Sequence, residues 1–222
     1  MVNTTQSLLI SFAPLLMQGL MMTIKLWLIA SVVSLILGTI LGILRCQKLR
    51  IVSVASILDV CTFVLRGVPL YVQLLITYFV LPDLLGINLP IFFAGTLTLG
   101  LCSAAYVSQM VRSGINAIPA GQWEAAYVLG YSTTQTVRWI IMPQVMRAIL
   151  PTLVGEVDQL LKSTSIISSI GLLELTRAGM NIVSREMNPL TIYLTIALLY
   201  LMLSSALNAL GAFLERKGTQ CL

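Results

Sequence analysis

Residues 118–143 read IPAGQWEAAYVLGYSTTQTVRWIIMP, and this stretch decides how the rest of the chain is read. Its physical reading is two short helices. The first begins after Gly121 and ends at Gly130, a residue suited to the left-handed position that closes a helix. Ser132 can cap the second, which is expected to stop at or soon after Met142, because Pro143 disfavours helix in the residue before it. The first helix presents Ala125 and Ala126, whose small side chains would let a partner surface approach the helix backbone.

Outward from this stretch the chain is apolar. Of 222 residues, 58% are hydrophobic and 9% charged, against roughly 25% charged in soluble domains. That composition excludes a soluble enzyme, a disordered tail and a nucleic-acid binder. A bilayer core needs about 20 apolar residues per helix. Five segments meet or nearly meet this, at about 14–44, 54–81, 90–111, 148–170 and 189–214. The chain reads as an all-α integral membrane protein with five transmembrane helices, forming a single domain over 1–222. The polar N-terminus has no basic region of the kind that opens a cleaved signal peptide. The four cysteines, Cys46, Cys61, Cys102 and Cys221, are scattered and read as free thiols.

The net charge of +5 has a topological reading. Arg45, Lys48 and Arg50 fall in one loop; Arg112, Arg138 and Arg147 in the segment 112–147; Arg216 and Lys217 at the C-terminus. Loop 82–90 between them holds no basic residue, and in 171–188 Arg177 and Arg185 are offset by Glu174 and Glu186. Basic loops collect on the cytoplasmic side, so the N-terminus is expected outside and the C-terminus inside. The segment 112–147 is then a cytoplasmic loop. Gly38 and Gly42 form a GxxxG pair, which can be a helix-dimer seam or an ordinary feature of an apolar run.

Glu124-Ala125-Ala126, Gly130 four residues on, then Ile140 and Met142-Pro143 resemble the EAA loop of ABC importer permeases. Met142 stands where that pattern has Leu. Further stretches resemble the polar-amino-acid branch, which transports histidine, glutamine and arginine. Arg66-Gly67-Val68-Pro69-Leu70-Tyr71-Val72-Gln73 is similar to RGTPLLVQ, with departures at Val68 and Tyr71. Residues 103–108 match SAAYVS, and residues 171–179 resemble GLPELTRAG. Glu156 and Lys162-Ser163-Thr164-Ser165 resemble NEF and KDTS, Gly155 and Ser163 replacing Asn and Asp. The likeness covers about residues 14–217.

The resemblance implies a type I permease core. Its cytoplasmic coupling helices, with Glu124, Ala125, Ala126, Gly130 and Pro143, would dock in a dimer of ATP-binding subunits. It implies a second permease subunit, identical or homologous, an extracytoplasmic solute-binding protein and the bacterial cytoplasmic (inner) membrane. No P-loop is present, so ATP and Mg would be bound by the partner ATPase, with no cofactor in this chain. The segment 171–188, with a short helix expected over 172–178 between Gly171 and Gly179, would be a gate near the binding protein. A self-contained secondary carrier or channel is the alternative, and an embedded enzyme is disfavoured in a chain without His.

Charges inside spans cost roughly 2.5–3.5 kcal/mol on insertion scales and mark cavities or partners. Glu156 and Asp158 lie about 200° apart on a helix and cannot share a face. Asp158 and Lys162 are spaced for an ion pair. Glu156 has no basic residue at that spacing. By resemblance it contributes to the site for a cationic amino acid; the alternative is a protonated or interhelically bonded carboxylate. Arg66 can take a substrate carboxylate, pair with Asp59 or cap carbonyls freed by a kink at Pro69. Ser103, Tyr106 and Gln109 form a polar stripe, facing either a pathway or a neighbouring helix.

Overall fold

The computed structural model describes residues 2–48 and 52–219, with side chains over 10–48 and 54–216. Arg50 and Cys221 therefore lie outside the described residues, as does the Lys217 side chain. The described residues are helical with no strand. The helices are α1 (Val2–Leu44), α2 (Val52–Gly67), α3 (Leu70–Leu75), α4 (Leu81–Leu85), α5 (Ile91–Ala117), α6 (Ala120–Val128), α7 (Thr133–Gln135), α8 (Met142–Ser163), α9 (Leu175–Glu186) and α10 (Pro189–Thr219). Wider π turns cover Ile76–Val80 and Thr136–Ile141, and a tighter 3₁₀ stretch covers Thr164–Ile170.

Among the described residues, four helical stretches are long and apolar enough to cross a membrane: Ile10–Leu44, Ile91–Ala117, Thr133–Ile170 and Pro189–Arg216. A fifth crossing is met by a bent pair, Val54–Gly67 with Leu70–Leu85. The break falls where the proline demands it. Pro69 is extended (φ −57°, ψ 136°), and the Val68 carbonyl accepts a 2.8 Å bond from the Gln73 side chain. A freed backbone group inside a membrane protein needs such a partner.

Two expected boundaries move. Helix α5 runs past 111 to Ala117, ending before Pro119, so the non-helical part of 112–147 is confined to short turns. Helix also does not stop at Met142. The π turn over Thr136–Ile141 runs into α8, and Pro143 sits in its first turn. A proline ring clashes with the carbonyl four residues back. The wider turn at Trp139 displaces that carbonyl, so the helix continues through the proline.

The chain divides into two compact units. One comprises Met1–Val32, Val68–Gly100 and Asp158–Leu207. Leu26, Leu74, Leu99, Leu160 and Ile167 form one buried cluster there, and Leu16, Leu175, Ile182, Ile192 and Ile196 another. Helix α9 differs from the expected 172–178. It starts at Leu175 and runs to Glu186, with Gly179 inside it. Gly179 is a packing residue rather than a stop, since a Cβ there would collide with Ile196. Asp158 accepts from Lys162 Nζ at 2.6 Å and from Ser204 Oγ at 2.5 Å, the ion pair that the spacing implied.

The other unit comprises Val33–Gly67, Leu101–Val157 and Asn208–Leu222. Its core gathers Val107, Val111, Ile115, Trp123, Ile141, Val145 and Ile149. Gly38 and Gly42 face α5 of the same chain. A Cβ on Gly38 would lie 2.5 Å from Val107 Cβ, and one on Gly42 2.6 Å from Val111 Cβ. The GxxxG pair therefore serves a close helix contact within the chain, where packing rather than water exclusion holds membrane helices together. Cys46, Cys61 and Cys102 form no disulfide among the described residues.

Candidate functional site

Helix α5 carries Ser103, Tyr106 and Gln109 at three-residue spacing, which keeps them near one face. Ser103 is buried and donates its hydroxyl to Glu156 Oε1 of α8 at 2.8 Å. The carboxylate thus has an interhelical partner, but a neutral one. One turn along α5, Tyr106 and Gln109 line a cavity of about 460 Å³ together with Arg66. Thr152 and Ile149 of α8 complete one wall, and Glu156 continues their face at four and seven residues on.

Arg66 is half-buried at the end of α2, and its Nε reaches the Thr62 carbonyl, at 3.4 Å, and no other acceptor among the described residues. It does not pair with Asp59, which binds Arg45 and Arg112 instead, at 2.8 and 2.7 Å. Nor does its side chain cap the break. The Tyr106 hydroxyl donates to the Arg66 carbonyl, at 3.4 Å. The structure therefore gathers Arg66, Tyr106 and Gln109 around one cavity and joins Ser103 to Glu156 beside it. Sequence reading missed Ser113 and Thr152, which also line it. Their signal was spacing, four residues after Gln109 and four before Glu156.

Beyond the spans, α6 ends in the bonding pattern that a left-handed glycine permits. Gly130 has φ 82°, its N–H reaches the Tyr127 carbonyl at 3.0 Å, and Tyr131 N–H reaches the Ala126 carbonyl at 3.1 Å. Ser132 caps the next turn reciprocally with Gln135. The helix begins at Ala120, slightly before the expected start. Glu124, Ala125, Gly130 and Pro143 are exposed. Ala126 is not, being 1% exposed beside the equally buried Trp123. Its small size serves the chain's own core, so it does not present itself to a partner as expected. Val128 and Leu129 are open instead, at 86% and 73%. Lys48 lies over the Trp123 ring at 5.0 Å, tying α6 to the turn after α1.

Between the spans ending at Ile170 and starting at Pro189, Glu174 is fully buried and caps α9. Its carboxylate accepts from the backbone N–H groups of Thr176 (2.9 Å) and Arg177 (2.6 Å) and from the Tyr200 hydroxyl (3.1 Å). Burial pushes its pKa above the ordinary carboxylate value, while these bonds pull it back.

The chain is similar to known proteins along most of its length. Residues 34–219 match the family described as binding-protein-dependent transport system inner membrane component. The arginine transport system permease protein ArtQ of Bacillus subtilis (strain 168) is 37% identical over 204 residues, covering 92% of each chain. A putative glutamine transport system permease protein GlnP of Rickettsia bellii (strain RML369-C) is 33% identical, covering 94% of this chain and 96% of its own. The crystal structure of an amino acid ABC transporter with histidines superposes at a TM-score of 0.84 with 33% identity, over 94% of this chain and 96% of that one. In this family transport is the work of the membrane subunit and ATP hydrolysis that of a separate one, with a solute-binding protein as a further partner. A self-contained carrier is thereby set aside. The chain belongs to the binding-protein-dependent transport system inner membrane components and is an amino-acid ABC importer permease that crosses the membrane several times.

Proposed function

We propose that this permease imports cationic amino acids (arginine, lysine or histidine), with Glu156 as the group that takes the substrate's ammonium or guanidinium. The observation that carries the reading is the Ser103–Glu156 bond at 2.8 Å beside the cavity of Arg66, Tyr106 and Gln109. A half-buried carboxylate held by a hydroxyl and by no basic side chain among the described residues lacks a cationic partner. A cationic side chain is its natural complement. Arg66 is the matching group for the substrate's carboxylate, and Tyr106 and Gln109 supply neutral hydrogen bonds. The name of the Bacillus relative and the histidines of the solved transporter support this class.

The whole chain acts as one permease domain, its N-terminus outside and its C-terminus in the cytoplasm. Two permease subunits enclose the pathway. Glu124, Ala125, Gly130 and Pro143 meet the ATPase, whose own site holds ATP and Mg. Ala126 contributes by fixing α6 to the core. Nucleotide-driven closure of the ATPase pair moves α6 and, through Trp123, the helices behind it. The test is uptake by the assembled transporter carrying Glu156→Gln. Arginine, lysine and histidine uptake should fall together. Unchanged uptake of all three overturns the assignment. Glutamine is the second reading, favoured by the neutral polar lining and by the named function of the Rickettsia relative; glutamine uptake resistant to Glu156→Gln with no cationic uptake in the parent supports it.

A further inference from the structure

A second cavity, of about 370 Å³, opens among Ile43, Thr133, Thr134, Val137, Arg138 and Met142. Its depth in the membrane follows from the chain. Ile43 lies in the last turn of α1, where the apolar stretch Ile10–Leu44 ends. Thr133 opens the stretch Thr133–Ile170. Both stretches are longer than the roughly 20 residues that a bilayer core needs, so their ends reach past the hydrocarbon to the headgroup region on the side of the 112–147 segment. Trp139 and Tyr131 next to it are exposed, and such aromatics collect at headgroup level.

The lining is amphipathic. Ile43, Val137 and Met142 give an apolar wall. Thr133, Thr134 and Arg138 bring hydroxyls and a guanidinium, all three exposed. Arg138 stacks on the Trp139 ring at 5.1 Å and makes no ion pair among the described residues. Among the described residues no carboxylate lines the cavity. We propose that it binds an anionic glycerophospholipid of the bilayer. The phosphate is held by Arg138 and the threonine hydroxyls, and the first methylenes of the tails rest on the apolar wall. The volume suits a glycerol-phosphate end, the tails staying in the bilayer. Basic pockets between membrane helices recognise anionic headgroups in this way. A soluble phosphate compound would leave the apolar wall unused.

Native mass spectrometry of the full chain in detergent, with equimolar phosphatidylglycerol and phosphatidylcholine, tests the site. The protein should retain one phosphatidylglycerol in preference. Arg138→Gln should lower its occupancy about five-fold, the worth of one basic residue at an anionic surface. Thr133→Val with Thr134→Val should lower it further. Arg147→Gln removes an exposed cation of α8 outside the cavity and should leave occupancy unchanged. Equal losses in the two arginine variants overturn the proposal, as does indifference to the headgroup. Displacement by glycerol 3-phosphate at the lipid's concentration also overturns it, because the apolar wall would then contribute nothing.

Discussion

Asp59 holds two arginines on one oxygen, Arg45 Nε at 2.8 Å and Arg112 Nη1 at 2.7 Å. The two cations are not equivalent, because the Arg45 side chain is 2% exposed and that of Arg112 24%. Asp59→Asn leaves Arg45 buried, with the Ser108 hydroxyl at 2.7 Å as a neutral partner. Stranding a buried charge costs about 3–5 kcal/mol. Removing the more exposed partner, as in Arg112→Gln, costs about 1 kcal/mol or less. At roughly 2–4 °C per kcal/mol for a chain of this length, Asp59→Asn should lower Tm by roughly 6–20 °C and Arg112→Gln by no more than about 4 °C. The assay is loss of monodisperse transporter on heating in detergent, at one fixed heating rate because such unfolding is irreversible. Arg45→Met combined with Asp59→Leu removes the buried charge and its partner together and should recover most of the loss. A double variant no more stable than Asp59→Asn, or Arg112→Gln as damaging as Asp59→Asn, refutes the reasoning.

Three further outcomes follow from the geometry. Ala126→Leu overfills a core site at 1% exposure and should cost about 1–3 kcal/mol, whereas Ala125→Leu on the open face should leave Tm unchanged and weaken co-purification of the ATPase. Gly130 adopts φ 82° with open space where a side chain would project, so Gly130→Asp costs about 1 kcal/mol of backbone strain; uptake should fail while ATP hydrolysis and membrane insertion persist, and sustained uptake contradicts this. Glu174 has a raised pKa in the fold, so its contribution to stability is complete below the ordinary value of 4.5 and is lost as pH rises through the raised one. Hydrogen exchange of the α9 amides, corrected for its intrinsic pH dependence, should therefore quicken across that window, and Glu174→Gln should flatten the response.

What was legible in the sequence was local. Gly130 as a helix stop, Ser132 as a cap, the break at Pro69 and the Asp158–Lys162 pair all depend on residues within a turn or so of one another. The backbone rules that govern them act at that range. What was not legible needed a distant partner. Gly42 reads as a dimer seam or an ordinary feature of an apolar run until Val111 is seen opposite it. Gly179 looked like a helix end because its neighbour, Ile196, comes from another helix. Arg66 could be assigned to Asp59 only while Arg45 and Arg112 were unplaced. The polar stripe on α5 was visible, but that Ser103 meets Glu156, 53 residues away, was not.

Helix α6 shows how one segment can carry two demands on the same small residues. Trp123 and Ala126, three residues apart, turn inward, and Glu124, Ala125 and Val128 turn outward. An inward Ala beside a buried Trp lets the helix backbone approach the core, so a displacement of α6, as proposed above, would be passed to Ile141 and Val145, which share that core with Trp123. A floppy or polar inner face would absorb the motion locally. The outer face must in turn stay free of the chain's own packing, and Val128 and Leu129 remain exposed there despite the cost of wetting them. Adjacent alanines that look interchangeable in sequence thus stand in opposite environments, one gripping the core and the other open on the surface, where the proposed ATPase contact would fall.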